Sequence, residues 1–149
     1  MTARREVRIT RTFDAPRELV FRAWIDPDQL AEWLAPAGLE VPRTSVEVDA
    51  RPGGLIEYAI VETGGQRYPV RWEIIELTEP EVLVLESPPQ PEFGFVERMT
   101  TRVVFEEDGD RTRVTVTQGP HTDETIEDAD AGWTSVLDNL DRLVRTASP

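Results

Sequence analysis

The sequence predicts a single α+β domain in which an antiparallel sheet packs against a long C-terminal helix. Its 149 residues suit one domain, since domains usually span roughly 100–200 residues. Between residues 45 and 118, short segments of alternating apolar and polar residues are separated by turn sequences, as in antiparallel strands. From residue 126 to residue 144, apolar residues recur at three- and four-residue steps, which predicts an amphipathic helix. Such a helix is expected to lie across the sheet and bury its apolar side.

The residues before position 40 predict one strand and two short helices. Apolar and polar residues alternate over residues 6–13, which indicates a half-buried strand. Asp14 and Pro16 then suggest a cap and an early-turn proline for a first helix. Asp26 and Gln29 stand at the two positions of a capping box, which predicts the start of a second helix.

Six further strands follow, and their connections are short enough to make neighbouring strands antiparallel. The segment 87–95 contains Pro88, Pro89 and Pro91, and therefore predicts a loop that cannot pair well in a sheet. In the segment 49–54, an aspartate, an arginine and two glycines predict a turn with a left-handed glycine. The strands are predicted at residues 45–49, 55–62, 67–77, 82–86, 99–105 and 113–118.

The composition excludes several kinds of chemistry. The chain has no Cys, no Lys and one His. Without Cys there is no thiol nucleophile, disulfide or iron–sulfur cluster, and without Lys there is neither Schiff-base chemistry nor a phosphate-binding P-loop. A single His cannot form a histidine cluster for a metal ion. We therefore predict that the protein holds no metal and no cofactor.

The charge and hydropathy patterns also limit the partners. The net charge is −13, so the basic surface that nucleic acids require is missing, and we predict no nucleic-acid partner. No apolar run approaches the ~20 residues that span a bilayer, so membrane insertion is not expected. The N-terminal residues show no apolar segment behind their two arginines, which favours a cytoplasmic location.

Four segments in order carry a resemblance to a known family over residues 6–144. The chain resembles the helix-grip fold of the SRPBCC (START/Bet v-like) superfamily. Within it, the chain is similar to the family named after the activator of the ninety-kilodalton heat-shock protein's ATPase. The resemblance implies a seven-stranded sheet gripping the terminal helix, with an apolar cavity between them. The segments are Phe13-Asp14-Ala15-Pro16 with Val20-Phe21-Arg22-Ala23-Trp24, then Leu30-Ala31-Glu32-Trp33-Leu34, then Val48-Asp49-Ala50-Arg51-Pro52-Gly53-Gly54, and Gly132-Trp133 with Leu137-Asp138-Asn139-Leu140.

The resemblance implies three alternative functions. Relatives in the superfamily bind lipids, sterols or polyketides in the cavity, and some catalyse cyclisation. The first alternative is binding of a small hydrophobic or amphipathic molecule, which the scarcity of catalytic side chains favours. The second is an enzyme of the polyketide-cyclase or lyase type in the same cavity. The third is stimulation of a chaperone ATPase. A homodimer is a further possibility, and the use of Arg without Lys is typical of a GC-rich bacterial genome.

Apolar residues on the predicted strands and terminal helix are the candidate ligand contacts, because small-molecule sites are mostly apolar. Trp72 is the strongest of them, since it stands in the middle of the sheet. Gly132 has two interpretations, clearance for a ligand or close packing against a neighbour. The candidates for ligand binding are Tyr58, Trp72, Phe93, Phe95, Met99, Trp133 and Leu137.

No spacing of residues singles out a catalytic group. His121 is the side chain whose ordinary pKa lies nearest neutrality. As a general base it would need a partner such as Asp123 or Glu124, whereas the commoner interpretation is an exposed loop histidine. The strand charges Glu57, Arg71, Glu73 and Arg102 are expected on the solvated face, because a charge turned inward would need pairing.

Overall fold

The computed structural model describes residues 5–91 and 97–147, with side chains described as far as residue 145. Its elements follow the predicted order of strand, two short helices, further strands and terminal helix. A 3-10 turn at Arg43–Ser45 precedes the second strand. The elements are β1 (Arg5–Phe13), α1 (Arg17–Arg22), α2 (Pro27–Trp33), β2 (Glu47–Asp49), β3 (Leu55–Val61), β4 (Arg67–Thr78), β5 (Val82–Ser87), β6 (Met99–Asp108), β7 (Arg111–His121) and α3 (Ile126–Ala147).

The seven strands form one antiparallel sheet in the order β1-β7-β6-β5-β4-β3-β2. Strands β2 to β7 are sequential neighbours, as the short connections predict, and β1 returns to pair with β7. The α+β helix-grip architecture is therefore confirmed. The last two strands are longer than predicted, because a two-residue turn containing Gly109 at φ +65° lets the ladder continue to its tip.

The core lies between one face of the sheet and α3. Inward side chains alternate along β6 and β7, where Val103, Phe105, Val114 and Val116 are buried. The apolar side of α3 covers them, with Leu140 completely buried. Burial of this continuous apolar surface is the main stabilising contribution to the fold.

Helices α1 and α2 close one end of the core through aromatic contacts. Trp24 and Trp33 meet edge to face with ring centroids 4.7 Å apart. The indole nitrogen of Trp33 donates a hydrogen bond to the carbonyl oxygen of Ala23 at 2.9 Å. Phe21 and Phe105 lie 4.8 Å apart, and so join α1 to the sheet.

The two helix starts differ from each other. Asp26 caps α2 as predicted, because its carboxylate accepts from the backbone N–H of Asp28 at 2.9 Å. The prediction that Asp14 caps α1 is wrong: Pro16 occupies the cap position, and no side chain caps that helix. The residues before Pro16 are held by the sheet, since Thr112 donates its hydroxyl proton to the carbonyl oxygen of Ala15 at 2.7 Å.

The predicted turn after β2 is confirmed. Gly53 has φ +85°, the left-handed conformation that favours glycine. A Cβ on Gly54 would lie 1.9 Å from the carbonyl oxygen of Asp49, so only glycine fits there. The carboxylate of Asp49 accepts from the guanidinium of Arg51 at 2.9 Å. These residues therefore shape the turn.

Candidate functional site

A cavity of about 250 Å³ lies between the sheet and α3. Its walls come from β3 to β7 on one side, from α3 on the other, and from Trp24 and α2 at one end. The alternation of β3 and β4 places Ile56, Tyr58 and Trp72 on the inner face. The cavity therefore occupies the place where sheet and helix would otherwise meet.

Helix α3 contributes two small residues to this wall, Ala129 and Gly132. A Cβ on Gly132 would meet no heavy atom within 4 Å. No described neighbour therefore requires glycine at this position, although a glycine inside a helix is less favourable than alanine by roughly 1 kcal/mol. The missing side chain leaves space beside the cavity.

The structure brings together four of the seven predicted ligand contacts. Tyr58, Trp72, Met99 and Trp133 all border the cavity. Leu137 lies beside them on α3 but is buried in the core, outside the residues that line the cavity. The remaining two candidates, Phe93 and Phe95, lie outside the described residues.

A hydrogen-bonded cluster centred on Gln118 forms the polar part of the wall. The amide nitrogen of Gln118 donates to the hydroxyl of Thr101 at 2.8 Å. Its amide oxygen accepts from the indole nitrogen of Trp133 at 3.1 Å and lies 2.9 Å from Nε2 of His121. Because an indole nitrogen only donates, this contact fixes which end of the Gln118 amide is the oxygen. We call these residues, together with Thr125, the Gln118 cluster.

His121 occupies a different environment from the predicted exposed loop. It is the last residue of β7 and only 2% exposed. Its Nδ1 lies 3.1 Å from the hydroxyl of Thr125, so its ring contacts Gln118 and Thr125 in place of Asp123 or Glu124. The loop prediction is wrong because β7 continues through Gly119 to pair with β1.

The Gln118 cluster also determines the tautomer of His121. Since the oxygen of Gln118 only accepts, Nε2 of His121 carries the proton. In the neutral ring, Nδ1 then accepts from the hydroxyl of Thr125. Burial lowers the pKa of His121, which favours this neutral form.

The lowered pKa of His121 predicts a pH-dependent stability. The unfolded chain binds a proton near pH 6.5, whereas the folded chain does so only at lower pH. The free energy of unfolding should therefore fall as pH decreases below about 6.5, by at most about 1.4 kcal/mol per pH unit from this group. Urea unfolding between pH 7 and 5 should show this slope, and His121→Gln should reduce it. Identical slopes in the two proteins would contradict the prediction.

Tyr58 and Trp72 form a second polar contact on the opposite wall. They are diagonal neighbours on β3 and β4, since Trp72 pairs with Ile56. The indole nitrogen of Trp72 donates to the phenol oxygen of Tyr58 at 3.3 Å. Burial raises the pKa of Tyr58 to about 12, so the phenol is neutral at physiological pH.

Of the predicted strand charges, Glu57, Arg71 and Glu73 form ion pairs, and Arg102 is exposed on β6. Arg71 lies 3.4 Å from the carboxylate of Glu57 and is about half exposed, although it also borders the cavity. Arg98 bridges Glu73 and Glu86 at 2.6 and 3.0 Å. Among the described residues, no carboxylate lines the cavity.

Across residues 5–91 and 97–147, no group of three or more acidic, His or Cys side chains is placed to hold a metal ion. In the same residues, no helix has the length and apolar character needed to cross a membrane.

Gln118 and Trp24 line the cavity but were not predicted as wall residues from the sequence. Gln118 follows Val114 and Val116 at two-residue steps, so strand alternation alone places it inward. Trp24 lies just after α1 and stacks on Trp133 with ring centroids 6.0 Å apart. In the sequence, Trp24 belongs to the segment Val20-Phe21-Arg22-Ala23-Trp24 that carries the family resemblance, and that segment did not indicate a role in the cavity.

Comparison with known proteins gives a family and a set of structural neighbours. The sequence model of one family, described as activator of Hsp90 ATPase homolog 1-like protein, matches residues 14–145. No curated protein matches the chain significantly.

Solved structures share the fold over nearly the whole chain. A crystal structure of a protein from Chromobacterium violaceum is 28% identical, with a TM-score of 0.81 over 94% of this chain and 97% of that one. The solution structure of an AHSA1-like protein from Aeromonas hydrophila is 25% identical, with a TM-score of 0.79 over 96% and 94%. A protein from Nitrosomonas europaea, 21% identical, has a TM-score of 0.82 over 96% of each chain and shows the fold alone.

Proposed function

Since the chain belongs to the family of activator of Hsp90 ATPase homolog 1-like proteins, we propose that it binds a small hydrophobic or amphipathic molecule between the sheet and α3. The observation that carries this proposal is the cavity of about 250 Å³ walled by Tyr58, Trp72 and Trp133. Apolar cavities with a few convergent polar groups are the usual form of small-molecule sites.

The size of the cavity limits the ligand. An apolar cavity of about 150 Å³ holds a benzene molecule. A cavity of about 250 Å³ therefore suits a compact molecule somewhat larger than one aromatic ring. The open space at Gly132 supports the same proposal, because a side chain there would reduce the room beside the cavity.

Native mass spectrometry of freshly purified protein tests the proposal. We expect a fraction of the protein to carry one small molecule that is released on gentle activation. The same preparation after denaturation and refolding should lack the adduct and regain it when the organic extract is returned. A protein that never carries an adduct, and binds none from such extracts, would contradict the proposed function.

An enzyme of the polyketide-cyclase or lyase type is a second candidate for the same cavity. The observation in its favour is the position of His121 in the wall. Both ring nitrogens of His121 already have hydrogen-bonding partners, so a role as a base requires one of these contacts to open. Chemical conversion of the captured molecule by the wild type, and its loss in His121→Gln, would favour this candidate over simple binding.

Stimulation of a chaperone ATPase is the third candidate, supported by the description of the family. In this role the outer surface of the protein would contact the chaperone, and the cavity would not be needed. Addition of the protein to Hsp90 should then increase the rate of ATP hydrolysis, and an unchanged rate would remove this candidate.

A further inference from the structure

Most polar groups on the cavity wall already have partners within the protein. The amide of Gln118 is engaged at both ends, and both ring nitrogens of His121 and the indole nitrogen of Trp133 are engaged with neighbours. Ser87 and Gln90 border the cavity where β5 ends, and are only partly buried. Because its hydrogen-bonding groups are paired with one another, the Gln118 cluster does not need a hydrogen bond from a ligand.

Tyr58 differs from these groups. Its phenol oxygen accepts a hydrogen bond from Trp72, and that bond leaves the phenol proton unused. Within residues 5–91 and 97–147, no acceptor faces this proton, although Tyr58 is only 8% exposed. Buried tyrosine hydroxyls normally find a partner. The wall thus presents one buried donor that a ligand can satisfy.

Trp24 carries the other unmatched donor near the cavity. Its indole nitrogen has no hydrogen-bond partner among the described residues, but neighbouring atoms cover it completely. A ligand in the cavity therefore cannot reach it without displacing the aromatic rings around it. Ser87 and Gln90 also carry donors at the partly exposed edge of the wall, but among its buried donors Tyr58 is the one that a ligand can meet directly.

The electrostatics of the wall disfavour a charged ligand at this point. Arg71 is the charged side chain among the described lining residues, and its guanidinium pairs with Glu57 on the outer face. No cation is therefore free beside Tyr58 to balance an anion. Burial also penalises negative charge at the oxygen of Tyr58, and this raises the pKa of its phenol.

We infer that the ligand is an uncharged, mostly carbon ring compound whose carbonyl or ether oxygen accepts the phenol proton of Tyr58; this rests on the proposed function. The rest of such a molecule lies against the rings of Trp72 and Trp133, which border the same space. Trp72 holds the phenol by its hydrogen bond, so the proton can turn only away from that indole. Tyr58 is in this sense a binding residue that selects for an acceptor.

A matched pair of probes tests this inference. 1-Tetralone and tetralin share a bicyclic carbon frame, and only the ketone has an oxygen. Calorimetric titration should show that wild-type protein binds the ketone about two- to tenfold more tightly than the hydrocarbon, the preference that one hydrogen bond provides. In Tyr58→Phe this preference should disappear. 1-Naphthoate, an anion of similar size, should bind more weakly than the ketone.

Tyr68→Phe is the matched control. It removes the other tyrosine hydroxyl of the chain, which donates to Glu62 at 2.6 Å and lies outside the lining of the cavity. It should keep the preference for the ketone. The infrared carbonyl stretch of bound tetralone adds a readout that does not depend on affinity. Its frequency should fall in the wild type and in Tyr68→Phe, but not in Tyr58→Phe.

The outcomes separate the two proposals. If both probes bind and neither the preference nor the carbonyl frequency responds to Tyr58→Phe, the inference about Tyr58 is wrong while the binding function stands. Tighter binding of naphthoate than of tetralone would overturn the uncharged character of the ligand. If the wild type binds neither bicyclic probe, the proposed function fails for this class of molecule, and the inference fails with it.

Discussion

Trp33→Ala is expected to lower the free energy of unfolding by about 3–5 kcal/mol, the usual effect of truncating a fully buried tryptophan. Trp33 is completely buried, and its ring contacts Trp24 edge to face. The change also leaves the carbonyl oxygen of Ala23 without its hydrogen bond. Urea denaturation should show a lower midpoint with an unchanged slope.

Trp72→Ala is the informative comparison for this prediction. Trp72 is partly exposed and borders the cavity, so one side of its ring already lacks packed neighbours. Its removal enlarges an existing space, and the loss of stability should be clearly smaller than for Trp33→Ala. Equal losses at the two positions would mean that the wall at Trp72 is packed as tightly as the core.

Gly132→Leu is expected to weaken ligand binding at least tenfold without destabilising the protein. The leucine side chain would extend into the open space at position 132, where even a Cβ meets no heavy atom within 4 Å. Helix α3 gains because leucine is a much better helix former than glycine, by somewhat under 1 kcal/mol. Binding of tetralone by calorimetry and the thermal midpoint of the free protein are the two measurements.

Gly132→Ala is the graded control for this prediction. Alanine also stabilises helix α3 relative to glycine, by about 1 kcal/mol, but it adds a single carbon. We therefore expect a higher midpoint with nearly unchanged binding. If leucine leaves binding as strong as alanine does, the ligand does not use the space beside Gly132, and the prediction is wrong.

The fold was predictable because its signals are local and repeated. The apolar steps along α3 and the alternation of the strands each involve many residues, so single exceptions do not obscure them. Asp14 shows the limit of this reasoning. Its position suits a cap, but the hydrogen bond between Thr112 and Ala15 links residues distant in sequence and holds that segment on the sheet.

The candidate site was predictable only in part, for a related reason. Trp72 and Trp133 were recognisable as large apolar residues on the right elements. The role of Gln118 depends on His121 of the same strand and on Thr101 and Trp133, which two other parts of the chain bring to it. A polar residue on a strand is usually solvated, and only its register among Val114 and Val116 shows that it points inward.

The pairing of β1 with β7 has a consequence for the order in which the protein assembles. Strands β2 to β7 form contacts between near neighbours in sequence, whereas Arg5 pairs with His121 and Phe13 with Thr112. Contacts between such distant residues carry the largest loop-closure entropy, and they tend to slow folding. The end of β7 that carries His121 reaches its final pairing only when the N-terminal strand docks. We therefore expect this corner of the cavity to form late in folding, and a ligand that contacts it to bind only molecules in which β1 has paired with β7.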